Sequence, residues 1–365
     1  MAAPEHVRIG VVGCGMVAQA EHLQNLLQLF ARFEIAALAD PSRVVREAMA
    51  ARYSVPSVHA DHRALLDAGV VDAVLVAAPA AAHAQVVLAA LEAGVHVFVE
   101  KPLCITLADA DRIIAARDRA GKVVQVGYMK RFDPAWERML VGLPESAADL
   151  RYIRVTCHDP EWVPFFAEGD IVKGPDVPVD VIDATKRAEA EQVEEAVGDA
   201  SPDAVFAFSD AYLGSMVHDV NVVHGLLERL GEPLPARVVD AAWWNGGRCI
   251  TGSLVLTSGA RWDNAWIQLL DIREYQEQVT LYFRNSLRRL TFPSPWLKQT
   301  PTRYERSEAD GLDRTVRVFE SHREAFVREL EHFHDCITRG VECRTPPEQA
   351  RLDIEVLTQM FRAAR

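Results

Sequence analysis

The chain has 365 residues, of which 49% are hydrophobic and 25% charged, and its formal net charge is −13. This length exceeds that of one ordinary hydrophobic core, so two domains are expected in a globular protein. The excess of acidic side chains argues against a nucleic-acid partner or an anionic membrane surface, because neither attracts an acidic protein.

Residues 1–6 contain neither the basic nor the apolar region of a secretory signal, and no apolar run approaches the length of a membrane span. We therefore expect a cytoplasmic protein with no membrane partner. The six cysteines lie far apart and form no C-x-x-C pair, which predicts buried free thiols rather than a disulfide framework or a zinc site.

A glycine-rich turn, GCGMVA at residues 13–18, follows the first predicted strand, 7–12. It fits the pattern G-x-G-x-x-A in the required context, between a strand and a helix that runs to about residue 30. The first glycine permits the tight turn, the second lets the backbone approach a pyrophosphate, and N–H groups at the helix start face the phosphates. The predicted dinucleotide contacts here are Gly13, Gly15, Met16 and Val17.

The second predicted strand, 34–39, ends in Asp40. In dinucleotide-binding domains a carboxylate at this position holds the ribose hydroxyls of the adenosine. It would also repel a 2′-phosphate, so we expect NAD rather than NADP as the cofactor. Arg43 could pair with a phosphate, which would weaken that preference.

Strands and helices then alternate at the spacing typical of a doubly wound parallel sheet. The alternation predicts a Rossmann domain over residues 1–127, with strands at 73–77, 95–99 and 123–126 and helices at about 42–52, 62–68, 82–93 and after Thr106. Ala78, Pro79 and His83 follow the strand at 73–77 and are candidate cofactor contacts. For the histidine, the alternative is a role in capping or packing the helix.

The strand at 95–99 leads directly into Glu100, Lys101 and Pro102. Because proline stops the ladder, Glu100 and Lys101 are expected at the carboxyl edge of the sheet, where open α/β sheets bind ligands. A partly desolvated lysine at that edge can carry a proton. The alternative is a surface ion pair at the end of a strand.

The second half begins with a predicted strand at 150–157 and an insertion at about 159–205, which contains an acidic helix at 185–197. Trp162, Phe165 and Phe166 either stack on a sugar or anchor this loop to the core. Alternating apolar residues then predict one large sheet with strands at 236–244, 248–257, 261–270, 278–283 and 286–292, followed by helices at 322–339 and 347–363. His332, His334 and Cys336 lie two residues apart on a helix and do not share a face, so no metal site is expected.

These motifs together resemble the Gfo/Idh/MocA oxidoreductases. The resemblance rests on the glycine turn, Asp40, the Ala-Pro pair with His83, the strand AGVHV that leads into Glu-Lys-Pro, and the segment VGYMKRFDP at 126–134. It implies an α/β fold in which the Rossmann domain is followed, over residues 128–365, by an α/β domain with a large, mostly antiparallel sheet. Such sheets often pack in dimers or tetramers.

The resemblance also implies roles for individual residues. Lys101 would lie beside the nicotinamide and the substrate hydroxyl, and Glu100 would support the cofactor end of the pocket. Lys130 or Arg131 would orient a polyhydroxylated ligand. His218, on a helix predicted at 214–227, would exchange the proton of the hydroxyl that is oxidised.

The chain departs from the family pattern at Gly214, where relatives carry an aspartate four residues before the histidine. Asp210 or Asp219 could replace that aspartate, the lysine and histidine could act alone, or ordinary dehydrogenase activity could be lost. Asn221 shares the helix face of Gly214 and His218 and stands where relatives often have a carboxylate. We count it as a candidate substrate contact.

The sequence therefore predicts an NAD-dependent oxidoreductase that acts on a secondary alcohol of a sugar, polyol or glycoside, with Lys101 and His218 in proton transfer. We expect a homodimer or homotetramer. The alternative is a non-catalytic NAD-binding regulator or subunit, which Gly214 favours. Whether NAD dissociates or is recycled in place is left open.

Overall fold

The computed structural model describes residues 6–160 and 171–364, which form two compact units. Among the described residues, the first unit comprises 6–128, 171–196 and 326–351, and the second comprises 129–160, 197–325 and 352–364. None of the helices in these ranges is both long enough and apolar enough to cross a membrane. Trp162, Phe165 and Phe166, predicted to stack on a sugar or anchor a loop, lie outside the described residues.

The first unit is built on a six-stranded parallel sheet with the strand order β3-β2-β1-β4-β5-β6. Its strands are β1 (Val7–Val12), β2 (Phe33–Ala39), β3 (Ser57–His59), β4 (Ala73–Val76), β5 (His96–Glu100) and β6 (Val124–Gly127). The order reverses between β1 and β4, and the crevice beyond the carboxyl ends of these strands is where doubly wound sheets bind ligands. The predicted doubly wound sheet is confirmed.

Helices connect these strands, and several begin at a side chain that caps the first turn. Ser42, Asp61 and Thr106 each accept a hydrogen bond from the backbone N–H three residues later. The connecting helices are a π-helical segment (Ala18–His22) that continues as α1 (Leu23–Gln28), then α2 (Arg43–Tyr53), α3 (His62–Asp67), α4 (Ala80–Glu92) and α5 (Leu107–Ala120).

Two further helices belong to the first unit although they lie far along the chain. α7 (Val179–Val197) starts six residues before its predicted start, and nearly all of it belongs to this unit. α10 (Ala325–Arg339) places Leu330 and Phe333 in the hydrophobic core that also contains Phe98. The first unit ends at residue 128, close to the predicted boundary at 127, but it also includes 171–196 and 326–351, because apolar side chains of those segments pack there.

The second unit contains an eight-stranded sheet with the order β14-β13-β12-β11-β7-β10-β9-β8. Only β7 and β10 pair in parallel; the other neighbours are antiparallel, as the predicted fold class requires. The strands are β7 (Leu150–His158), β8 (Arg237–Trp244), β9 (Cys249–Val255), β10 (Arg261–Ile267), β11 (Gln276–Phe283), β12 (Ser286–Phe292), β13 (Thr302–Asp310) and β14 (Asp313–Ser321). β10 ends three residues before its predicted end, and the hairpin of β13 and β14 is not predicted from the sequence.

The remaining helical elements include one that differs from the prediction. The helix predicted at 214–227 is π-helical through Met216 and α-helical only from Val217. The elements are a 3-10 turn (Met129–Phe132), α6 (Pro134–Val141), α8 (Pro202–Val205), a π-helical segment (Phe206–Met216), α9 (Val217–Arg229) and α11 (Pro347–Ala363), which contributes residues to both units.

His96, at the start of β5, makes the stability of the first unit depend on pH. Its Nδ1 accepts a hydrogen bond from the Val123 N–H at 3.0 Å. Burial, together with the nearby positive charge of Lys122, lowers the pKa of His96 to about 4. The unfolded chain binds this proton at its ordinary pKa of about 6.5, so His96 stabilises the fold above that pH and stops doing so as pH falls toward 4.

Replacing His96 by asparagine should remove this titration, because Oδ1 can still accept the Val123 N–H. Between pH 7 and pH 5 we expect the wild type to lose about 1–2 kcal/mol more unfolding free energy than His96→Asn. Urea denaturation at both pH values measures the difference, with the exposed His322→Asn as the control. Equal losses in the wild type and His96→Asn would contradict the prediction.

Candidate functional site

The glycine turn after β1 lies against the backbone that follows β4. Gly13 has a φ of +88°, and a Cβ atom there would lie 2.6 Å from the backbone carbonyl of Ala77, so only glycine fits. At Gly15, by contrast, such a Cβ would have no atom of the described residues within 4 Å beyond its own chain neighbours. Met16 and Val17 begin the helix that follows. The turn therefore offers open backbone and helix-terminal N–H groups, which fits the pyrophosphate of a dinucleotide.

Asp40, directly after β2, is half-buried and is oriented by two backbone groups. Cys14 N donates to Asp40 Oδ2 and Ser42 N donates to Oδ1, each at 2.8 Å. Burial raises the pKa of Asp40 above its ordinary value, and these two hydrogen bonds oppose that rise. Since each carboxylate oxygen can accept a further hydrogen bond, Asp40 can hold the two hydroxyls of a ribose. Arg43 is exposed, and its Nη1 lies 3.6 Å from Glu47 Oε2.

His83 connects the turn after β4 to the turn after β5. Its Nε2 lies 2.8 Å from the carbonyl oxygen of Ala78, and its Nδ1 lies 2.7 Å from that of Pro102. The ring is fully buried, and burial lowers the pKa of His83. A neutral imidazole carries one N–H and can donate to only one of these carbonyls at a time. Ala78, Pro79 and His83 are thus brought next to the Glu-Lys-Pro segment.

Glu100, the last residue of β5, is buried and held by two donors. His22 Nε2 lies 2.6 Å from Glu100 Oε1, and Lys101 N donates to Oε2 at 3.1 Å. Burial opposes ionisation of Glu100, but the hydrogen bond from His22 and the positive charge of Lys101 hold its pKa below the ordinary value. Lys101 itself is half-buried. As predicted, β5 ends in Glu100 and Lys101 follows it at the carboxyl edge of the sheet.

A second buried glutamate, Glu329 of α10, forms a cluster with His22 and Glu100. One carboxylate oxygen of Glu329, one carboxylate oxygen of Glu100 and one ring nitrogen of His22 all lie within 4.8 Å of one another. Neither oxygen of Glu329 has a hydrogen-bond partner among the described residues, and burial together with the charge of Glu100 raises its pKa far above the ordinary value. The surroundings therefore favour the neutral form of Glu329 and the ionised form of Glu100.

In the second unit, His218 lies near the start of α9 and is half-buried. One helical turn before it, Ser215 Oγ donates to Asp159 Oδ2 at 2.6 Å and accepts a hydrogen bond from Trp266 Nε1 at 2.8 Å. A carboxylate from the end of β7 is thus fixed beside the helix that carries His218. Asp159 is a functional candidate that the sequence reasoning missed; its position directly after a predicted strand is the signal that could have found it.

Asn221 lies one turn after His218 and is fully buried. Its Nδ2 donates to Asp353 Oδ2 at 2.7 Å, and His224 Nδ1 lies 2.8 Å from Asp353 Oδ1. Asp353, on α11, therefore holds two side chains of α9, a role that the sequence reasoning also missed because the partners are more than 120 residues apart.

Lys130 is buried and forms an ion pair within the second unit. Its Nζ lies 2.5 Å from both carboxylate oxygens of Glu277, a residue of β11 that also accepts a hydrogen bond from the Tyr275 hydroxyl. Burial opposes the charge of Lys130, but Glu277 and Asp219 raise its pKa above the ordinary value. The pKa of Asp219 is raised far above its ordinary value by burial and by Glu277.

Arg131 is also buried. Its guanidinium carbon lies 4.8 Å from the centre of the Trp136 ring, and its Nη1 donates to the backbone oxygen of Asn221 at 3.3 Å. Both members of the predicted basic pair therefore lie among side chains of the second unit.

Gly214 lies in the π-helical segment Phe206–Met216. A Cβ atom at this position would lie 3.1 Å from the backbone oxygen of Ser209, which is closer than side-chain atoms ordinarily approach. Of the two aspartates that could replace the family's aspartate, Asp210 is exposed and Asp219 is buried, with its pKa raised far above the ordinary value. Asp159, through Ser215, is the carboxylate that the structure places beside the helix.

Two of the three residues His332, His334 and Cys336, at which no metal site is expected, are neighbours. Cys336 Sγ lies 3.4 Å from His332 Nε2, since these residues are four apart and share a helix face, contrary to the expectation. His334 instead lies near Arg32, with 3.3 Å between Nδ1 and Nη1.

Comparison with known proteins matches residues 7–128 to the family described as oxidoreductase family, NAD-binding Rossmann fold (GFO_IDH_MocA). Inositol 2-dehydrogenase of Paracoccus denitrificans is 38% identical over 146 residues, which are 40% of this chain and 42% of that protein. Inositol 2-dehydrogenase/D-chiro-inositol 3-dehydrogenase of Shouchella clausii is 41% identical over 147 residues, 38% of this chain and 42% of that protein. The chain thus spans about two fifths of the length of these curated relatives in the match.

Solved structures extend the likeness of fold to almost the whole chain. A 3-ketoreductase from Actinomadura kijaniata, in complex with NADP and TDP-benzene, has a TM-score of 0.74 at 17% identity and covers 99% of this chain and 98% of its own. Scyllo-inositol dehydrogenase from Lactobacillus casei, with bound NAD(H) and scyllo-inositol, has a TM-score of 0.71 at 16% identity and covers 98% and 97%. The glycine turn, Asp40 and the Glu-Lys-Pro edge all lie within the matched residues 7–128, so the chain contains a domain that matches the NAD-binding Rossmann fold of this oxidoreductase family.

Proposed function

We propose that the protein is an NAD-dependent oxidoreductase that acts on a secondary alcohol of a sugar, polyol or glycoside. The observation that carries the proposal is that three features lie at the carboxyl edge of one sheet. They are the open glycine turn, the oriented carboxylate of Asp40, and the adjacent residues Glu100 and Lys101. Two of the relatives are named as inositol dehydrogenases, which supports a polyhydroxylated substrate.

The residues of the first unit fit NAD. Gly13, Gly15, Met16 and Val17 would hold the pyrophosphate and Asp40 the adenosine ribose, while Ala78, Pro79, His83 and Glu100 would shape the nicotinamide end. When bound, NAD supplies the hydride acceptor. The positive charge of Lys101 in turn favours the ionised form of Glu100.

Proton transfer falls to Lys101 and His218 in this proposal. The Lys101 ammonium would donate a hydrogen bond to the substrate oxygen, and the His218 imidazole would accept the hydroxyl proton. The carboxylate of Asp159, held by Ser215 one turn before His218, favours the imidazolium that forms. In this proposal Asp159 takes the part that the family pattern gives to an aspartate four residues before the histidine.

Lys130 and Asn221 remain candidate substrate contacts, although their polar groups already bind Glu277 and Asp353. A homodimer or homotetramer is proposed from the same family likeness. Exposed Val316 and Val318 on the edge strand β14 support such an association.

The test of the proposed activity is absorbance at 340 nm with purified protein, added NAD and a panel of inositols, sugars and glycosides, after the cofactor content as isolated has been measured. We expect a rise that requires both NAD and one substrate class. No rise with NAD bound at full occupancy would indicate internal recycling of the cofactor. No rise and no bound or bindable cofactor would favour the non-catalytic alternative, for which the glycine at position 214 is the supporting observation.

Replacing Lys101 by alanine should abolish turnover while leaving NAD affinity nearly unchanged. The ammonium acts on the substrate oxygen, and losing general acid–base help lowers rates by about 10²–10⁴. Steady-state kinetics and NADH titration measure the two effects, with Lys186→Ala, an exposed lysine of α7, as the control. Wild-type turnover in Lys101→Ala would remove the role assigned to this lysine.

Replacing Asp40 by asparagine should weaken NADH binding by about tenfold or more, because charged hydrogen bonds to the ribose hydroxyls are lost. Titration followed by NADH fluorescence measures the affinity, and a thermal melt separates this effect from loosening of the glycine turn. The exposed Asp67→Asn is the control. An unchanged affinity for NADH would exclude the ribose contact.

Replacing Glu277 by glutamine should destabilise the protein by about 3 kcal/mol, because it removes the carboxylate that directly binds the buried ammonium of Lys130. Urea denaturation measures the loss. Glu305→Gln, which removes a partly exposed partner of Arg303 and Arg289, should cost about 1 kcal/mol or less. Equal effects of the two changes would contradict the assignment of a buried ion pair.

A further inference from the structure

Residues 171–176, which we call the strap, lie in the first unit beside the glycine turn and the end of β2. Gln19, a buried residue of the first helix, binds Val172 in both directions: Val172 N donates to Gln19 Oε1 at 2.8 Å, and Gln19 Nε2 donates to Val172 O at 3.0 Å. The same Nε2 donates to the backbone oxygen of Cys14 at 2.8 Å, inside the glycine turn. The strap is therefore fixed to the turn at one end.

At its other end the strap lies directly on the start of α2. A Cβ atom on Gly174 would lie 2.6 Å from Ser42 Cβ, so the strap backbone packs against that serine. Asp176 Oδ1 accepts a hydrogen bond from the Ser42 hydroxyl, and Asp176 Oδ2 accepts one from Val44 N at 3.2 Å. The following helix, α7, is held in turn by Gln192, whose Nε2 donates to Ala81 O at 2.9 Å.

Ser42 forms hydrogen bonds with the carboxylates of both Asp176 and Asp40. Its backbone N–H donates to Asp40 Oδ1 and its hydroxyl donates to Asp176 Oδ1. Two aspartates therefore share one serine at the end of β2. The Ser42 hydroxyl and the N–H groups of α2 hold the pKa of Asp176 below its ordinary value, so this carboxylate is ionised at pH 7.

The donors that bind Asp176 are those that a phosphate would need. The start of an α-helix attracts anions because its first N–H groups have no partner within the helix, and α2 has eleven residues. In dinucleotide-binding domains the 2′-phosphate of NADP is accommodated near the end of the second strand, with help from a nearby arginine. Here the hydroxyl of Ser42, the N–H of Val44 and the exposed Arg43 provide that set of groups, and Asp176 is bound to the first two.

We propose that Asp176 determines cofactor specificity: its carboxylate occupies the anion position at the start of α2 and so excludes the 2′-phosphate of NADP while leaving NAD accepted. The inference rests on the proposed function only in taking a nicotinamide dinucleotide as the cofactor. Asp176, a residue of the insertion, then acts together with Asp40 in selecting NAD over NADP.

Replacing Asp176 by asparagine tests the proposal, since it removes the charge and leaves the shape. Binding of NADPH and of NADH is measured by fluorescence titration of the full chain at low and at physiological salt. We expect NADPH affinity to rise by about tenfold in Asp176→Asn, with a larger gain at low salt, and NADH affinity to change less than about threefold. Asp176→Glu should retain the wild-type preference, and Asp180→Asn, which removes an exposed charge from the same insertion, should change neither affinity.

Two outcomes would overturn the role of Asp176 without affecting the proposed function. One is NADH binding retained in Asp176→Asn with no gain in NADPH affinity, and the other is an equal gain in Asp180→Asn, which would reduce the effect to net charge. Failure of the wild type to bind either dinucleotide would instead overturn the proposed function. Thermal melts of all three variants show whether the strap still folds.

Discussion

The close approach of Gly13 to the backbone of Ala77 is the constraint on which the first unit depends. A side chain at position 13 would collide with that backbone, and a non-glycine residue would resist the φ of +88°. Because β1 and β4 are held this closely, the carboxyl ends of the strands meet where the strand order reverses. Asp40 is then tied to the turn through Cys14 N, and His83 ties the turn after β4 to the turn after β5.

Both units bury acidic groups in pairs, and in each pair the pKa of one member is raised far above its ordinary value. In the first unit His22 and Lys101 hold the pKa of Glu100 below its ordinary value, whereas burial and the charge of Glu100 raise that of Glu329. In the second unit Glu277 lies beside Lys130, and burial together with Glu277 raises the pKa of Asp219. Two carboxylates this close in a low-dielectric interior cannot both ionise at ordinary cost. The arrangement therefore favours a single negative charge in each pair.

Much of the fold could be predicted because its signals are local. The turn after β1, Asp40 after β2 and the proline after Lys101 each mark the end of a strand within a few residues, and α11 has the predicted bounds. The hairpin of β13 and β14 was missed because its strands expose charged residues on both faces, which hides the alternation of a half-buried strand. The partners of the candidate site were missed for a different reason. Lys130 and Glu277 are 147 residues apart, and Gln19 and Val172 are 153 apart, so no local pattern joins them.

The π-helical winding of Phe206–Met216 changes how a spacing motif should be compared across this chain. In such a segment the backbone hydrogen bonds close five residues back rather than four, which is the geometry of an α-helix that has gained one residue. A pair defined as aspartate and histidine four apart assumes an unbroken α-helix, and here the winding changes between position 214 and His218. A count of four residues back from His218 therefore reaches Gly214, whereas the carboxylate of Asp159 reaches this helix from the end of β7, whose position is independent of the helical register. A spacing motif on this segment is better compared by the element that supplies the acid than by its distance along the helix.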